Sequence, residues 1–235
     1  MPIAIDISNY TGAISLDRVE RWKALGAKRV VVGLQFPLSL SYPPGIADRQ
    51  LEALVVAGGL DIEVYFESTP IAVAWPLVAR FAPYIKRAWL ACETGSGYET
   101  GEDIRRGLAT LEALALPRQA GIYTGAWWWV PNIGTEPFKD RPLWVANYDR
   151  KQDLRFSPFS GWTTAAMKQY TGDAISEDPG WGPAVDLNWY EEQAVMSPRP
   201  SLTNIYLAAF DMLGRRIEPI EADDRFNRAT VYWPK

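Results

Sequence analysis

Residues 62–93 read IEVYFESTPIAVAWPLVARFAPYIKRAWLACE, and this stretch decides the fold. Ile62–Glu67 is a short β-rich run, Val73–Tyr84 spaces its apolar residues as a helix does, and Arg87–Glu93 is a second β-rich run ending on a carboxylate. Strand, helix, strand is the unit of a parallel sheet wound with helices, and the alternation continues in both directions. Toward the N-terminus it predicts strands at Ile3–Ser8 and Arg29–Leu34 with helices at Leu16–Leu25 and Ala47–Ala57. Toward the C-terminus it predicts a helix at Gly101–Leu114 and strands at Gln119–Tyr123, Leu143–Tyr148, Ala166–Tyr170 and Ala184–Leu187. Leu16, Val19, Trp22 and Leu25 share one helical face, and Gly26 and Gly58-Gly59 stand where helix C-caps belong. Between Pro131 and Ala184 helical periodicity gives way to short segments rich in Pro, Gly, Trp and Asp. The expectation is therefore a single α/β domain over residues 1–196, a TIM-like (β/α)5(β)3 barrel with regular early units and irregular late ones.

Ser197-Pro198-Arg199-Pro200-Ser201 carries two prolines that block continued helix or sheet, and it reads as a linker. Residues 197–235 are then the linker and a small β-rich C-terminal module, with residues 201–235 open to a protein partner. The 235-residue chain is 48% hydrophobic and 22% charged, the balance of a globular protein, and its longest apolar runs fall short of a membrane span of roughly 20 residues. Met1–Asp6 reads as a first strand and not as a signal peptide, so synthesis in the cytoplasm is expected.

Composition narrows the chemistry. A net charge of −4 with no basic stripe argues against nucleic acid. The absence of histidine removes His-based nucleophile activation and His-ligated zinc. A single cysteine, Cys92, excludes an internal disulfide and a multi-Cys metal site, and it reads as an inert packed thiol. No cofactor or metal is expected. The 11 Trp and 11 Tyr, without basic charge beside them, favour a sugar ligand, whose apolar faces stack on aromatic rings.

In a parallel barrel the functional face lies at the C-terminal ends of the strands, where Asp6, Glu67, Glu93, Tyr123, Asn147, Tyr148, Gln169 and Asp186 fall. Carboxylates converging from different strands raise one another's pKa, giving a protonated acid beside an ionised stabiliser, which is the equipment of glycoside hydrolysis. Tyr10 follows Asp6 at the mouth. The three rings of Trp127-Trp128-Trp129 cannot all point inward, and Trp127 is taken toward the cleft.

At these residues the chain resembles the lysozyme-type muramidases of glycoside hydrolase family 25. The matching pieces are residues 4–10 (AIDISNY), 64–66 (VYF), 90–94 (LACET), 121–125 (GIYTG), 143–148 (LWVANY), 169–171 (QYT) and 185–188 (VDLN), in barrel order over residues 1 to about 190. The resemblance implies cleavage of the β-1,4 bond after N-acetylmuramic acid in peptidoglycan, with Glu93 as general acid. It also implies that Asp6 and Asp186 shape and charge the site, and that Tyr65, Tyr123, Tyr148 and Gln169 line the cleft. Two features depart from the family. Its fourth strand usually reads Asp-x-Glu, and here Ala91 stands at the first position; its histidines on the third and sixth strands are replaced by Phe66 and Asn147. Glu67, on the neighbouring strand, is a candidate to replace the carboxylate absent at Ala91. The leading expectation is a wall-lytic glycosidase of phage or bacterial kind, acting at the bacterial cell wall. Ala91 keeps open an alternative, a catalytically weakened glycan-binding or structural barrel such as a piece of a virion, and a third, a glycosidase for a sugar without an acetamido group.

Overall fold

Short β-rich runs form eight strands that close into a barrel in sequence order in the computed structural model, which describes residues 3–34, 45–67, 70–135, 138–172 and 180–191. The strands are β1 (Ile3–Ile7), β2 (Ala27–Leu34), β3 (Asp61–Phe66), β4 (Ile85–Ala91), β5 (Gly121–Thr124), β6 (Leu143–Ala146), β7 (Met167–Thr171) and β8 (Val185–Tyr190). Five helices pack outside: α1 (Leu16–Ala24), α2 (Ile46–Ala57), α3 (Ile71–Val78), α4 (Gly101–Glu112) and α5 (Ala126–Asn132). All eight expected strands are present. The expected linker and C-terminal module, residues 197–235, lie outside the described residues.

The first seven strands run parallel to one another, but β8 is antiparallel to both β7 and β1. This corrects the expectation of an all-parallel sheet. Its consequence is local and large: the beginning of β8, not its end, lies at the rim where the other strands finish. Asp186, second in β8, pairs directly with Asp6, near the end of β1.

Nearly every strand position is buried, because helices cover one face of the sheet and the barrel's own side chains fill the other. Strand alternation separates two cores. Outward residues such as Ile5, Val30, Val32, Val64, Phe66 and Leu90 meet the helices. Inward residues form a second cluster of Ala4, Val31, Tyr65, Trp89, Ala91, Tyr123, Trp144, Ala146, Met167 and Tyr190. Trp144 is its centre, with ring centroids 4.5 Å from Tyr123, 5.7 Å from Trp89 and 6.0 Å from Tyr65. Small residues between large rings let eight strands close on an aromatic filling.

At the N-terminal ends of the strands a buried ionic layer completes the interior. Glu63 is fully buried; it accepts from Trp89 Nε1 at 2.6 Å and Arg118 Nη1 at 2.9 Å, and pairs with Arg29 at 3.4 Å. Arg29 in turn lies over the Tyr190 ring and Arg87 over Trp89. Among the described residues this ionic layer fills the barrel interior at that end.

The helices follow their caps and faces. Ser15 and Thr100 accept from the third residues of α1 and α4, and Gly26, with φ of 100°, takes the left-handed conformation just past α1. At Gly107 a Cβ would stand 2.9 Å from the Leu90 side chain, so glycine lets α4 lie close against β4. The helix expected over Val73–Tyr84 is divided: α3 ends at Val78 and Ala79–Tyr84 is a 3-10 turn. Pro76 and Pro83 each remove a backbone donor there, which shortens the α-helical run. The α5 helix completes the fifth β/α unit of the expected barrel, at residues where periodicity had marked no helix.

Candidate active site

At the rim formed by the ends of β1–β7 and the start of β8 lies a cavity of about 490 Å3. Its walls hold Asp6, Glu67, Glu93 and Asp186 together with Tyr10, Tyr65, Tyr123, Tyr148 and Gln169, nine of the residues that sequence reasoning had singled out. Ser8, Trp144 and Ala184 complete the lining, so among the described residues no Lys or Arg lines it. Tyr10 and Tyr148 are largely exposed at its mouth, whereas Tyr65 and Tyr123 are buried in its floor.

Gln169 organises one side. Its Nε2 donates to Asp6 Oδ2 at 3.1 Å and Asp186 Oδ2 at 2.8 Å, while its Oε1 accepts from Tyr123 at 2.7 Å and Tyr148 at 3.0 Å. The two ends of the amide are thus assigned by complementary partners, donor to carboxylates and acceptor to phenols. Asn188 adds a second donor to Asp6 Oδ2 at 2.7 Å and is itself oriented by Trp144 Nε1, 2.7 Å from its Oδ1. Burial and the charge of Asp186 hold the Asp6 carboxyl well above the usual carboxylate range; Asn188 and Gln169 pull against them, and Glu93 adds to the rise.

Glu93 stands on the other side, two residues beyond β4. Its amide donates to Ser96 Oγ at 3.3 Å and its carbonyl accepts from Ser96 N at 3.0 Å, a tight turn that fixes the start of the β4–α4 loop. Burial first, then the charge of Glu67 and a hydrogen bond with it, then Asp186, push the Glu93 carboxyl up to about 7. A carboxyl at that level is protonated through mildly acidic pH and can give its proton to a substrate oxygen. Burial raises both Tyr65 and Tyr123, followed by the charge of Asp6 at Tyr65 and by Tyr148 at Tyr123, and the Tyr123 phenol stays a donor to Gln169.

Asn147 and Trp127 are not in the lining. Asn147 turns outward from the strand direction of β6 and its amide donates to Asp149 Oδ2 and Arg155 O, both at 3.3 Å, in the following loop. Trp127 lies on the first turn of α5, 62% exposed, over the backbone of Gly125; Trp128 and Trp129 are buried. Cys92 is fully buried and burial pushes its thiol pKa well up, away from reactive thiolate. Among the described residues no group of three His, Cys, Asp or Glu side chains is placed to hold a metal ion. Sequence reasoning missed Trp144, Ser96 and the orienting role of Asn188. Strict alternation would have found the first, since Trp144, Ala146 and Tyr148 share one parity and Asn147 the other.

Ala91 lies inward between Trp89 and Glu93, fully buried in the aromatic cluster and paired in register with Tyr123.

The chain matches known proteins in both sequence and structure. It is similar to probable GH family 25 lysozyme 5 of Dictyostelium discoideum, 38% identical over 96 residues, which are 40% of this chain and 43% of that one. It is similar also to probable GH family 25 lysozyme 2 of the same organism, 43% identical over 74 residues, 30% of this chain and 32% of that one. The matched regions thus span less than half the length of these relatives. In structure it is similar to a muramidase from Acremonium alcalophilum, with TM-score 0.56 and 21% identity over 83% of this chain and 95% of that one. A family GH25 lysozyme from Aspergillus fumigatus gives TM-score 0.56 and 18% identity over 81% and 94% of the two chains. These solved structures share the fold. The family model of glycosyl hydrolases family 25 matches residues 48–178, more than half of the sequence, and the chain belongs to that family.

Proposed function

We propose that this protein is a muramidase-type glycoside hydrolase that cleaves the β-1,4 bond of peptidoglycan, acting at the bacterial cell wall as a lytic protein of a phage or a bacterium. The observation that carries the reading is the pairing of a carboxyl with its pKa near 7, Glu93, with a hydrogen-bonded Asp6 and Asp186 across one aromatic-walled cavity. Family membership and the muramidase-like fold support it.

In the proposed reaction Glu93 gives its proton to the glycosidic oxygen as the bond to C1 breaks, and positive charge grows on the sugar ring. The Asp6 and Asp186 pair, held by the Gln169 amide and sharing its negative charge, stands on the facing wall, where that charge counts most as the ring becomes cationic. The substrate's own acetamide or Asp186 then traps C1, and water releases the product while returning a proton to Glu93. Tyr10 and Tyr148, exposed at the mouth, offer ring faces to the flanking sugars.

The test is lysis of purified bacterial walls, followed by turbidity and by the appearance of new reducing ends. Wild type should lyse, and Glu93→Gln should lose roughly 10²- to 10⁴-fold, the usual contribution of a general acid. Equal rates for the two proteins, or no cleavage by wild type, would overturn the proposal.

A further inference from the structure

One carboxylate in the cleft, Glu67, has no task in the proposed hydrolysis. Glu67 follows directly on β3, with the parity that turns Glu63 and Tyr65 inward, and it lines the same cavity as Glu93. β3 and β4 are parallel neighbours with Phe66 opposite Leu90, so the chains leaving them run side by side into the rim. There Glu67 comes close enough to the Glu93 carboxyl to hold its proton, through its charge and a side-chain hydrogen bond. β4 itself supplies no partner, because its inward position below Glu93 is Ala91, enclosed by rings. Asp6 and Asp186 do not fill this place, since both are held by Gln169 on the opposite wall.

We propose that Glu67 is the partner carboxylate of Glu93, a positioning residue that holds the acid's proton in a shared hydrogen bond and aims the carboxyl at the glycosidic oxygen. The inference rests on Glu93 being the acid. Two carboxyl groups within hydrogen-bond distance do not ionise together cheaply, so Glu67 favours the protonated form of Glu93. Of the other titratable groups that line the cavity, Asp186 from β8 acts in the same sense, and Asp6 from β1, Tyr10, Tyr65, Tyr123 and Tyr148 bring no positive charge. Among the described lining residues no cation opposes them. Once Glu93 has protonated the departing oxygen, its new charge lies against that of Glu67. That repulsion favours recovery of a proton from the water that attacks C1, so the proton lost in the first step is regained in the second and the net change is hydrolysis.

The experiment compares wild type, Glu67→Gln and Glu67→Ala in two readouts. The first is the alkaline limb of the pH–rate profile for wall lysis; the second is the titration of the Glu93 side-chain carboxyl followed by carbon NMR, which needs no activity. Removing the neighbouring charge should lower both midpoints by about one pH unit in either variant. Glu67→Ala should also slow lysis at every pH, because it removes the hydrogen bond that Gln can still offer. Unfolding curves identify any variant that is not folded, and the other then decides. Unchanged midpoints in the folded variants would overturn the proposal. Failure of wild type to cleave walls would remove the muramidase reading alone, and the NMR titration would still decide whether the pair exists.

Discussion

Glu93→Gln keeps the size of the side chain and a hydrogen-bond donor toward Glu67 but removes the ionisation, and this separates activity from stability. In the folded protein Glu93 releases its proton near pH 7, against an ordinary value of 4.5 that applies to the unfolded chain. Between those values the folded protein holds a proton that the unfolded chain has already lost. Stability therefore falls as pH rises from about 4.5 to about 7 and the penalty is complete above that. At about 1.4 kcal/mol per pH unit, the penalty is about 3 kcal/mol at pH 8 and a few tenths at pH 4. Glutamine carries no such penalty, so the variant should be more stable than wild type by up to about 3 kcal/mol at pH 8, or roughly 6–12 °C in melting temperature for a chain of this size. The advantage should shrink almost to nothing at pH 4. Asp6, whose pKa is also raised, contributes to both proteins and largely cancels in the difference. Urea unfolding followed by tryptophan fluorescence at pH 4, 6 and 8 measures the trend. A gain of equal size at pH 4 and pH 8, or no gain at pH 8, would refute the argument that Glu93 is held protonated by its surroundings.

Gln169→Leu should take the shared donor from Asp6 and Asp186 and the acceptor from Tyr123 and Tyr148. With hydrogen bonds to charged groups worth about 1.5–3 kcal/mol, kcat/KM for wall lysis should fall roughly 10- to 100-fold in a protein whose circular dichroism is unchanged. Lys168→Met should free the loop after Tyr148, because the fully buried Lys168 amine holds Asp153 at 2.6 Å, Asp149 at 3.1 Å and the Arg155 carbonyl at 3.2 Å. Limited proteolysis should then cut within residues 149–155 while the barrel remains intact, and KM should rise more than kcat falls. Glu63→Gln should weaken the ionic layer of the barrel by about 3–5 kcal/mol, the cost of breaking a buried pair, read as a lower urea midpoint. The specific activity of the folded fraction at low temperature should stay near that of wild type.

The strands were legible because a strand buried on both faces reads as an apolar run whatever its neighbours do. Direction is another matter. Val185–Leu187 reads as a strand in either sense, and nothing in those residues announces that β8 runs antiparallel. Asp186 was accordingly placed at the correct rim on an incorrect premise, as the end of a parallel strand when it begins an antiparallel one. α5 was obscured by Trp127-Trp128-Trp129 followed by Pro131, which leave no apolar stripe to recognise. In the site, residues at strand ends were found one by one, but the assignment of Asn147 to the cleft ignored the parity that gives the inward place to Tyr148. The role of Gln169 could not be read from position alone, since its four partners come from β1, β5, β8 and the residue two places after β6.

The same parity explains how the chain accommodates alanine at position 91. The inward layer beneath the cavity is filled by Tyr65, Trp89, Tyr123 and Trp144, and Ala91 faces Tyr123 across the β4–β5 pair. Tyr65 itself extends over β2, where a Cβ on Gly33 would stand 2.5 Å from its ring, so the strand carries glycine at that point. A carboxylate at position 91 would sit among these rings, desolvated and with no cation in the described lining to offset its charge. Burial is also the largest cause of the raised pKa at both Asp6 and Glu93, ahead of any neighbouring charge. Burial above the aromatic floor is therefore the largest single push that keeps Glu93 protonated, and the charge of Glu67 from the adjacent strand is the next. The wealth of Trp and Tyr, which in sequence pointed only to a sugar ligand, is thus also what sets the proton affinity of the carboxyls above it.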